Sequence, residues 1–247
     1  MPTGANKKRK YNYVWVSAVI LVFGIFAVNE ITKKAKEGTL VENDRMSAGS
    51  MQNNVGFVVS AGKKRKVPPF SFLNQDSVRI TNEDYLGKVY VVDFFFTTCP
   101  TICPIMTNNL VELQETFQDD EDFGVASFTI NPRNDTPSVL KAYTHKYGIT
   151  DKDWNLLTGD QAKIYELAQE GFYILASEDQ EAPGGFEHSG MFALVDKNGY
   201  IRSRNDAHGN PLIYYRGTIT EKQGVNNEGE AQQITMLKED IKKLLKE

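Results

Sequence analysis

The residues best suited to chemistry in this 247-residue chain are its only two cysteines, Cys99 and Cys103, in the segment TTCPTICP. Four positions apart on a helical turn, their Cα atoms would lie ~6 Å from each other, close enough for a disulfide or for one shared metal ion. Pro104 predicts that the regular helix begins at that residue, and the positive end of a helix lowers thiol pKa values. We therefore expect two reactive thiolates.

Histidine is the natural third partner for such a pair. Two soft thiolates favour binding of Cu(I), Zn(II) or an iron-sulfur cluster, and an imidazole as third ligand favours copper. Among the three histidines, His145 lies within a predicted helix and His208 lies in a turn, and neither position requires a ligand role. His188 lies on a glycine-rich loop just before an apolar segment, so that loop could fold over the cysteines. It is the candidate third ligand, and an ordinary loop histidine is the alternative.

An acidic residue, Asp93, lies in an apolar segment six residues before Cys99. A buried carboxyl group has a raised pKa and could accept a proton from a thiol. This arrangement supports a second hypothesis, a thiol-disulfide oxidoreductase with Cys99 as nucleophile, Cys103 as resolving thiol and Asp93 as proton acceptor.

Alternating strands and helices must position these groups. A continuous β-branched and aromatic run predicts a buried strand at 89–96, and helical spacing of apolar residues follows the cysteines. Further strands are predicted at 125–130, 191–195 and 200–204, and further helices from about 137 to 147, 160 to 169 and 231 to 246. The order predicts an α/β fold with a mixed central sheet flanked by helices.

Composition excludes several classes of protein. The 28 Lys and Arg residues are outnumbered by 32 Asp and Glu residues, so the chain has no global basic surface for nucleic acid. Two cysteines are too few for a disulfide scaffold or a four-thiolate cluster within one chain. A mean hydropathy of −0.41 excludes a polytopic membrane protein.

The N-terminal region carries the signature of a single membrane anchor. Four basic residues at 7–10 precede an uncharged apolar run at 14–28. We predict a cytoplasmic tail at 1–12, an uncleaved transmembrane signal anchor at 13–29, a linker at 30–65 and a folded domain at 66–247. The domain is then expected on the periplasmic or other extracytoplasmic side of the cell's inner membrane.

Three motifs together resemble the SCO (SenC) family: TTCPTICP after an apolar strand, NPRNDTP after the next strand, and EHS before the following one. The similarity covers roughly residues 67–246. It implies a thioredoxin-like fold, membrane anchoring, and copper binding by Cys99, Cys103 and His188. The implied partner is the cytochrome c oxidase subunit that carries the dinuclear copper A centre, or another copper or thiol protein. Some family members instead act as thiol-disulfide reductases. Asn131 departs from the aspartate usual in the family.

Overall fold

The computed structural model describes residues 15–25, 55–205 and 211–247 of the chain, which divides into two units, Met1–Met51 and Gln52–Glu247. In the first unit, residues 15–25 are helical and exposed. The other residues of the predicted anchor at 13–29, the predicted tail at 1–12, the first part of the predicted linker and His208 lie outside the described residues. No helix among the described residues is both long and apolar enough to cross a membrane, so the predicted transmembrane helix is not confirmed.

The second unit contains thirteen strands and four α-helices among its described residues. The strands in chain order are β1 (Gly56–Phe57), β2 (Val59–Ser60), β3 (Lys63–Lys64), β4 (Ser71–Leu73), β5 (Arg79–Thr81), β6 (Val89–Phe95), β7 (Phe123–Thr129), β8 (Trp154–Leu157), β9 (Ala176–Glu178), β10 (Phe186–His188), β11 (Met191–Val195), β12 (Ile201–Ser203) and β13 (Tyr215–Arg216). The helices are α1 (Cys103–Thr116), α2 (Pro137–Tyr147), α3 (Gln161–Glu166) and α4 (Ile234–Leu245). A 3₁₀ turn at Asn82–Tyr85 and a π-helical turn at Leu167–Gly171 complete the set.

The central sheet is mixed, as predicted, with the order β1-β12-β11-β6-β7-β8 and with β13 paired to β11. Strands β6, β7 and β8 are parallel, whereas β11 runs antiparallel to β6 and β12. Every residue of β6 and β7 is buried, because their largely apolar sequences are covered on both faces. The sheet therefore fixes the carboxyl end of β6, which leads directly to the cysteines.

Local sequence explains where the helices begin and end. Helix α1 starts at Cys103, one residue before the predicted start, with Pro104 in its first turn. Thr136 caps α2 through its side chain, and Gly148 ends that helix with a φ of 70°, a conformation that glycine adopts readily. Helix α4 buries one apolar stripe and contacts β6.

The folded unit extends further toward the N-terminus than the predicted boundary at residue 66. Val55 and Val58 are buried, β1 pairs with β12, and β2 and β3 form a hairpin within the last part of the predicted linker. Strands of two residues contain too little alternation to stand out from a polar segment. Periodicity also does not predict strand β8, which is fully buried beside β7.

Candidate metal centre

The structure brings the three predicted ligands together. The Cys103 Sγ lies 3.2 Å from the His188 Nε2, and the backbone N–H of Cys103 points at the Cys99 Sγ across 3.5 Å. One donor atom from each of the three residues lies within 4.8 Å of the other two. All three side chains are buried, with 8%, 1% and 8% exposure for Cys99, Cys103 and His188. His145, by contrast, is exposed on α2.

The cysteines are positioned by the junction between β6 and α1. Cys99 lies in the connecting turn, where its backbone N–H donates to the carbonyl of Phe96, and Cys103 is the first residue of α1. The orphan N–H groups at a helix start favour negative charge on nearby atoms. Both cysteines are free thiols.

His188 reaches the cysteines from outside the central sheet. It ends β10, which pairs only with β9 in a separate two-stranded sheet among the described residues. Its ring lies edge-on to Phe96, with 5.9 Å between ring centroids, and its Nδ1 is 3.3 Å from the Ser189 carbonyl oxygen. With the proton on Nδ1, donated to that carbonyl, the ring presents the Nε2 lone pair to a metal, and with the proton on Nε2 it donates to the cysteine sulfurs.

The two thiols differ in acidity, and this corrects the expectation of two thiolates. The neighbouring Cys103 thiol, assisted by His188, stabilises the Cys99 thiolate and lowers the pKa of Cys99. The same neighbouring sulfur, together with burial, raises the pKa of Cys103. Two adjacent sulfurs share one proton because a second negative charge so close to the first is unfavourable. The free pair therefore holds one thiolate, at Cys99.

Asp93 is not among the ligand atoms. It is 1% exposed in β6, and it faces Thr107, Ser127, Tyr143 and Trp154. Burial raises the pKa of Asp93 to about 7, as predicted in direction, while Ser127 and His188 act in the opposite sense. Its Oδ1 has no hydrogen-bond partner among the described residues. Its role as a proton acceptor stays a prediction.

Sequence reasoning missed a buried carboxylate that anchors the cysteine turn. Asp135 is fully buried and accepts hydrogen bonds from the backbone N–H of Thr97 at 3.0 Å and from the hydroxyl groups of Thr97 and Thr129 at 2.5 Å each. These bonds tie the NPRNDTP segment to the residues just before Cys99. Asn131, the departure from the family pattern, donates its backbone N–H to the Thr129 hydroxyl oxygen at 3.1 Å. Only the Asp-Thr-Pro order could have suggested a capping role for this region.

A cavity of about 350 Å³ opens above the cluster. Its lining includes Cys99, His188 and the aromatic ring of Phe96, and three carboxylates belong to it, namely Asp179, Glu181 and Glu187. Cys103 does not line this cavity, so Cys99 is the sulfur that a ligand or partner reaches first. Two sulfurs and one imidazole nitrogen form a soft donor set that suits Cu(I) or Zn(II), and the adjacent thiols also suit disulfide exchange.

Comparison with known proteins places this geometry in a family. The family model described as SCO1/SenC matches residues 58–218. The SCO1 protein homolog of Bacillus subtilis is 35% identical over 138 residues, which cover 55% of this chain and 71% of that protein. A SCO1/SenC family lipoprotein from Bacillus anthracis matches with a TM-score of 0.60 and 30% identity, covering 73% of this chain and 95% of that chain.

A second solved structure is that of BsSco, described as a member of the Sco family of cytochrome c oxidase assembly proteins that contains a disulfide switch. It matches with a TM-score of 0.58 and 28% identity, covering 74% of this chain and 94% of that chain. These structural matches confirm the thioredoxin-like fold that the motifs implied. Because the family model spans well over half of the sequence and includes all three clustered side chains, the chain belongs to the SCO1/SenC family.

Proposed function

We propose that this protein binds one copper ion through Cys99, Cys103 and His188 and delivers it to the copper A centre of cytochrome c oxidase. The observation that carries the proposal is the convergence of two sulfurs with an imidazole nitrogen 85 residues away in the sequence. Copper is the cargo in this reaction. The soft donor set fits Cu(I), and the relationship to the Sco family of oxidase assembly proteins supports the destination.

The protonation states of the free cluster fit reversible binding. Cys99 is already the more acidic thiol, and Cys103 releases its proton when the metal binds, so affinity rises with pH. With two thiolates and neutral His188, a bound Cu(I) site has a formal charge of −1. Cys99 lines the cavity, so transfer to a partner begins with exchange of this sulfur. The buried Phe96 ring limits access of water to the imidazole.

Copper titration of the reduced full-length protein tests the binding step. We expect one equivalent of tightly bound copper, lost in Cys99→Ser and in Cys103→Ser and strongly weakened in His188→Ala. His145→Ala is the matched control, because this histidine is exposed on α2 and should leave the stoichiometry and affinity unchanged. Sulfur-to-Cu(II) charge-transfer absorption reports thiolate coordination directly. Full stoichiometry in Cys99→Ser would refute the site.

The delivery step is tested with the isolated, copper-free copper A domain of the oxidase. Two equivalents of Cu(I)-loaded protein should fill the dinuclear site, measured as copper in the separated domain, and a one-electron oxidant added afterwards should develop the copper A absorption spectrum. The His188→Ala protein, which holds copper weakly, should give no more transfer than free copper at the same concentration. Tight binding without transfer would keep the metal site and reject this destination.

We also propose that residues 13–29 anchor the protein in the inner membrane, with the domain on the periplasmic or other extracytoplasmic side. The uncharged apolar run and the preceding basic cluster support this proposal. Deletion of residues 1–29 should move the protein from the membrane fraction to the soluble fraction. In spheroplasts, added protease should digest the domain of the full-length protein. Protection of the domain from protease would show that it lies on the cytoplasmic side and would contradict the proposed orientation.

A second candidate function is thiol-disulfide exchange, favoured by the free thiols and their unequal acidity. The Cys99 thiolate attacks one sulfur of a partner disulfide and releases the other as a thiolate. Cys103 then loses its proton and attacks the mixed disulfide, so the Cys99–Cys103 disulfide forms and the partner gains two electrons. His188→Ala separates the candidates, because it should abolish tight copper binding yet leave exchange with a model disulfide nearly intact. A parallel loss of both activities would contradict this separation.

A further inference from the structure

His188 belongs to a two-stranded sheet outside the central sheet, so other contacts must set its distance from Cys103. We propose that Asn109 and Gly190 are positioning residues that hold His188 against Cys103. We call these two residues, with Gly217 and Thr218, the brace. The proposal rests on the proposed copper function for its biological meaning, and its structural part can be tested without metal.

The first contact of the brace lies two residues after His188. The backbone N–H of Gly217 donates to the Gly190 carbonyl at 2.8 Å. A Cβ atom added at Gly190 would lie 2.1 Å from the Thr218 Cγ2, far inside any real contact distance. Gly190 is not among the glycines with positive φ, so its backbone conformation is open to alanine. The need for glycine at this position therefore comes from close packing against Thr218.

The second contact connects this loop to helix α1. The Asn109 side-chain amide donates to the carbonyl groups of Gly217 at 2.8 Å and of Ile219 at 3.3 Å. Asn109 lies in α1, six residues after Cys103, and is 1% exposed. One helix thus carries the Cys103 thiol at its start and, through Asn109, holds the loop against which Gly190 packs.

The side chain of Asn109 is incompletely satisfied, which indicates a specific role for its amide. Its Oδ1 is buried and has no hydrogen-bond partner among the described residues. An unpaired buried carbonyl is unfavourable, and an apolar side chain of similar size would avoid it. An apolar residue could not donate the two hydrogen bonds that the Asn109 amide gives to the carbonyl groups of Gly217 and Ile219. The amide therefore acts by fixing the loop, and through the loop it fixes His188.

A metal-free measurement tests the position of the imidazole. In the reduced full-length protein with labelled histidine and phenylalanine, a nuclear Overhauser effect should connect the His188 and Phe96 rings, whose centroids are 5.9 Å apart. Gly190→Ala should remove it. Adding Thr218→Ser, which deletes the Cγ2 and keeps the hydroxyl group, should restore it. Thr218→Ser alone should resemble the wild type.

Copper affinity gives the second readout. Residues that orient a metal ligand typically change affinity by roughly 10–100-fold when replaced. We expect a loss in that range for Gly190→Ala, relieved by Thr218→Ser, and for Asn109→Ala. The matched control is Asn155→Ala, because Asn155 is also a buried asparagine, with 7% exposure and hydrogen bonds to Tyr85 and Asn74, but lies in β8. It should destabilise the fold and leave copper affinity unchanged.

The outcomes separate the brace from the copper function. An unchanged ring contact and unchanged affinity in both Gly190→Ala and Asn109→Ala would overturn the proposal, as would a defect that Thr218→Ser does not relieve. An equal loss of copper affinity in Asn155→Ala would show that general destabilisation of the fold causes the loss, and this result would also overturn the proposal. If His188→Ala binds copper as tightly as wild type, the proposed function fails, while the ring contact still decides whether the brace positions His188.

Discussion

Replacement of Asp93 by asparagine should change how the stability of this protein depends on pH. Burial raises the pKa of Asp93 from 3.8 to about 7 in the folded protein. Between these values the folded state holds a proton that the unfolded state has released, so stability falls as the pH rises. Below the lower of these two pKa values both states are protonated and the group makes no difference. Above the higher one both states are ionised and the full cost of the buried charge is present.

The size of the effect follows from the two pKa values. At about 1.36 kcal/mol for each pH unit, the interval corresponds to about 4 kcal/mol. The side-chain amide introduced by Asp93→Asn has a similar shape to the carboxyl group and carries no charge at any pH. The free energy of unfolding of the variant, minus that of the wild type, should therefore rise by about 4 kcal/mol between about pH 4 and about pH 8. Groups that titrate equally in both proteins cancel in this difference.

Urea unfolding of the reduced, copper-free, full-length protein at several pH values measures this difference. The side chains of Thr107, Ser127 and Trp154 around Asp93 do not titrate in this range, but His188 interacts with the carboxylate. Repeating the comparison in a His188→Ala background removes that contribution. A difference that stays constant across this pH range would show that Asp93 ionises as it does in water and that burial does not raise its pKa.

Two other buried acids should stabilise the fold through the donors that their carboxylates accept from. Asp135→Ala leaves the hydroxyl groups of Thr97 and Thr129 without their acceptor and should lower the free energy of unfolding by about 3 kcal/mol, measured by urea unfolding. The control is Thr136→Ala, which removes only a helix cap and should lower the same free energy by about 1 kcal/mol. Asp240→Asn breaks the ion pair between a fully buried carboxylate and Arg204, and it should lower the free energy of unfolding by about 3 kcal/mol. Thermal unfolding measures this loss, and an unchanged midpoint would contradict it.

Much of the fold could be predicted because the local sequence of each central strand and helix has a recognisable apolar pattern. The predicted strand at 89–96 is observed at Val89–Phe95, and the C-terminal helix predicted at 231–246 is observed at Ile234–Leu245. The strand shows as a continuous apolar run, and the helix is long enough for its apolar stripe to show at helical spacing. The two-residue strands at Gly56–Phe57 and Val59–Ser60 form because partners far along the chain, or a tight hairpin, supply their hydrogen bonds, and no local pattern records such partners.

In the site, too, contacts between residues close in sequence could be predicted, and contacts between distant residues could not. Cys99 and Cys103 could be paired from sequence alone because they lie four positions apart where a strand gives way to a predicted helix, and the structure places Cys99 in that turn and Cys103 at the first residue of α1. The contact with His188 joins residues 85 positions apart, and the bond from Asn109 to Gly217 joins residues 108 apart. Spacing made His188 a candidate, and only the family motifs indicated that it meets the thiols. Asn109 lies within a helix with nothing in its sequence to distinguish it from a surface residue. Its importance follows from the loop that packs against it, so the ligand predicted from a motif depends on a residue that only the tertiary structure reveals.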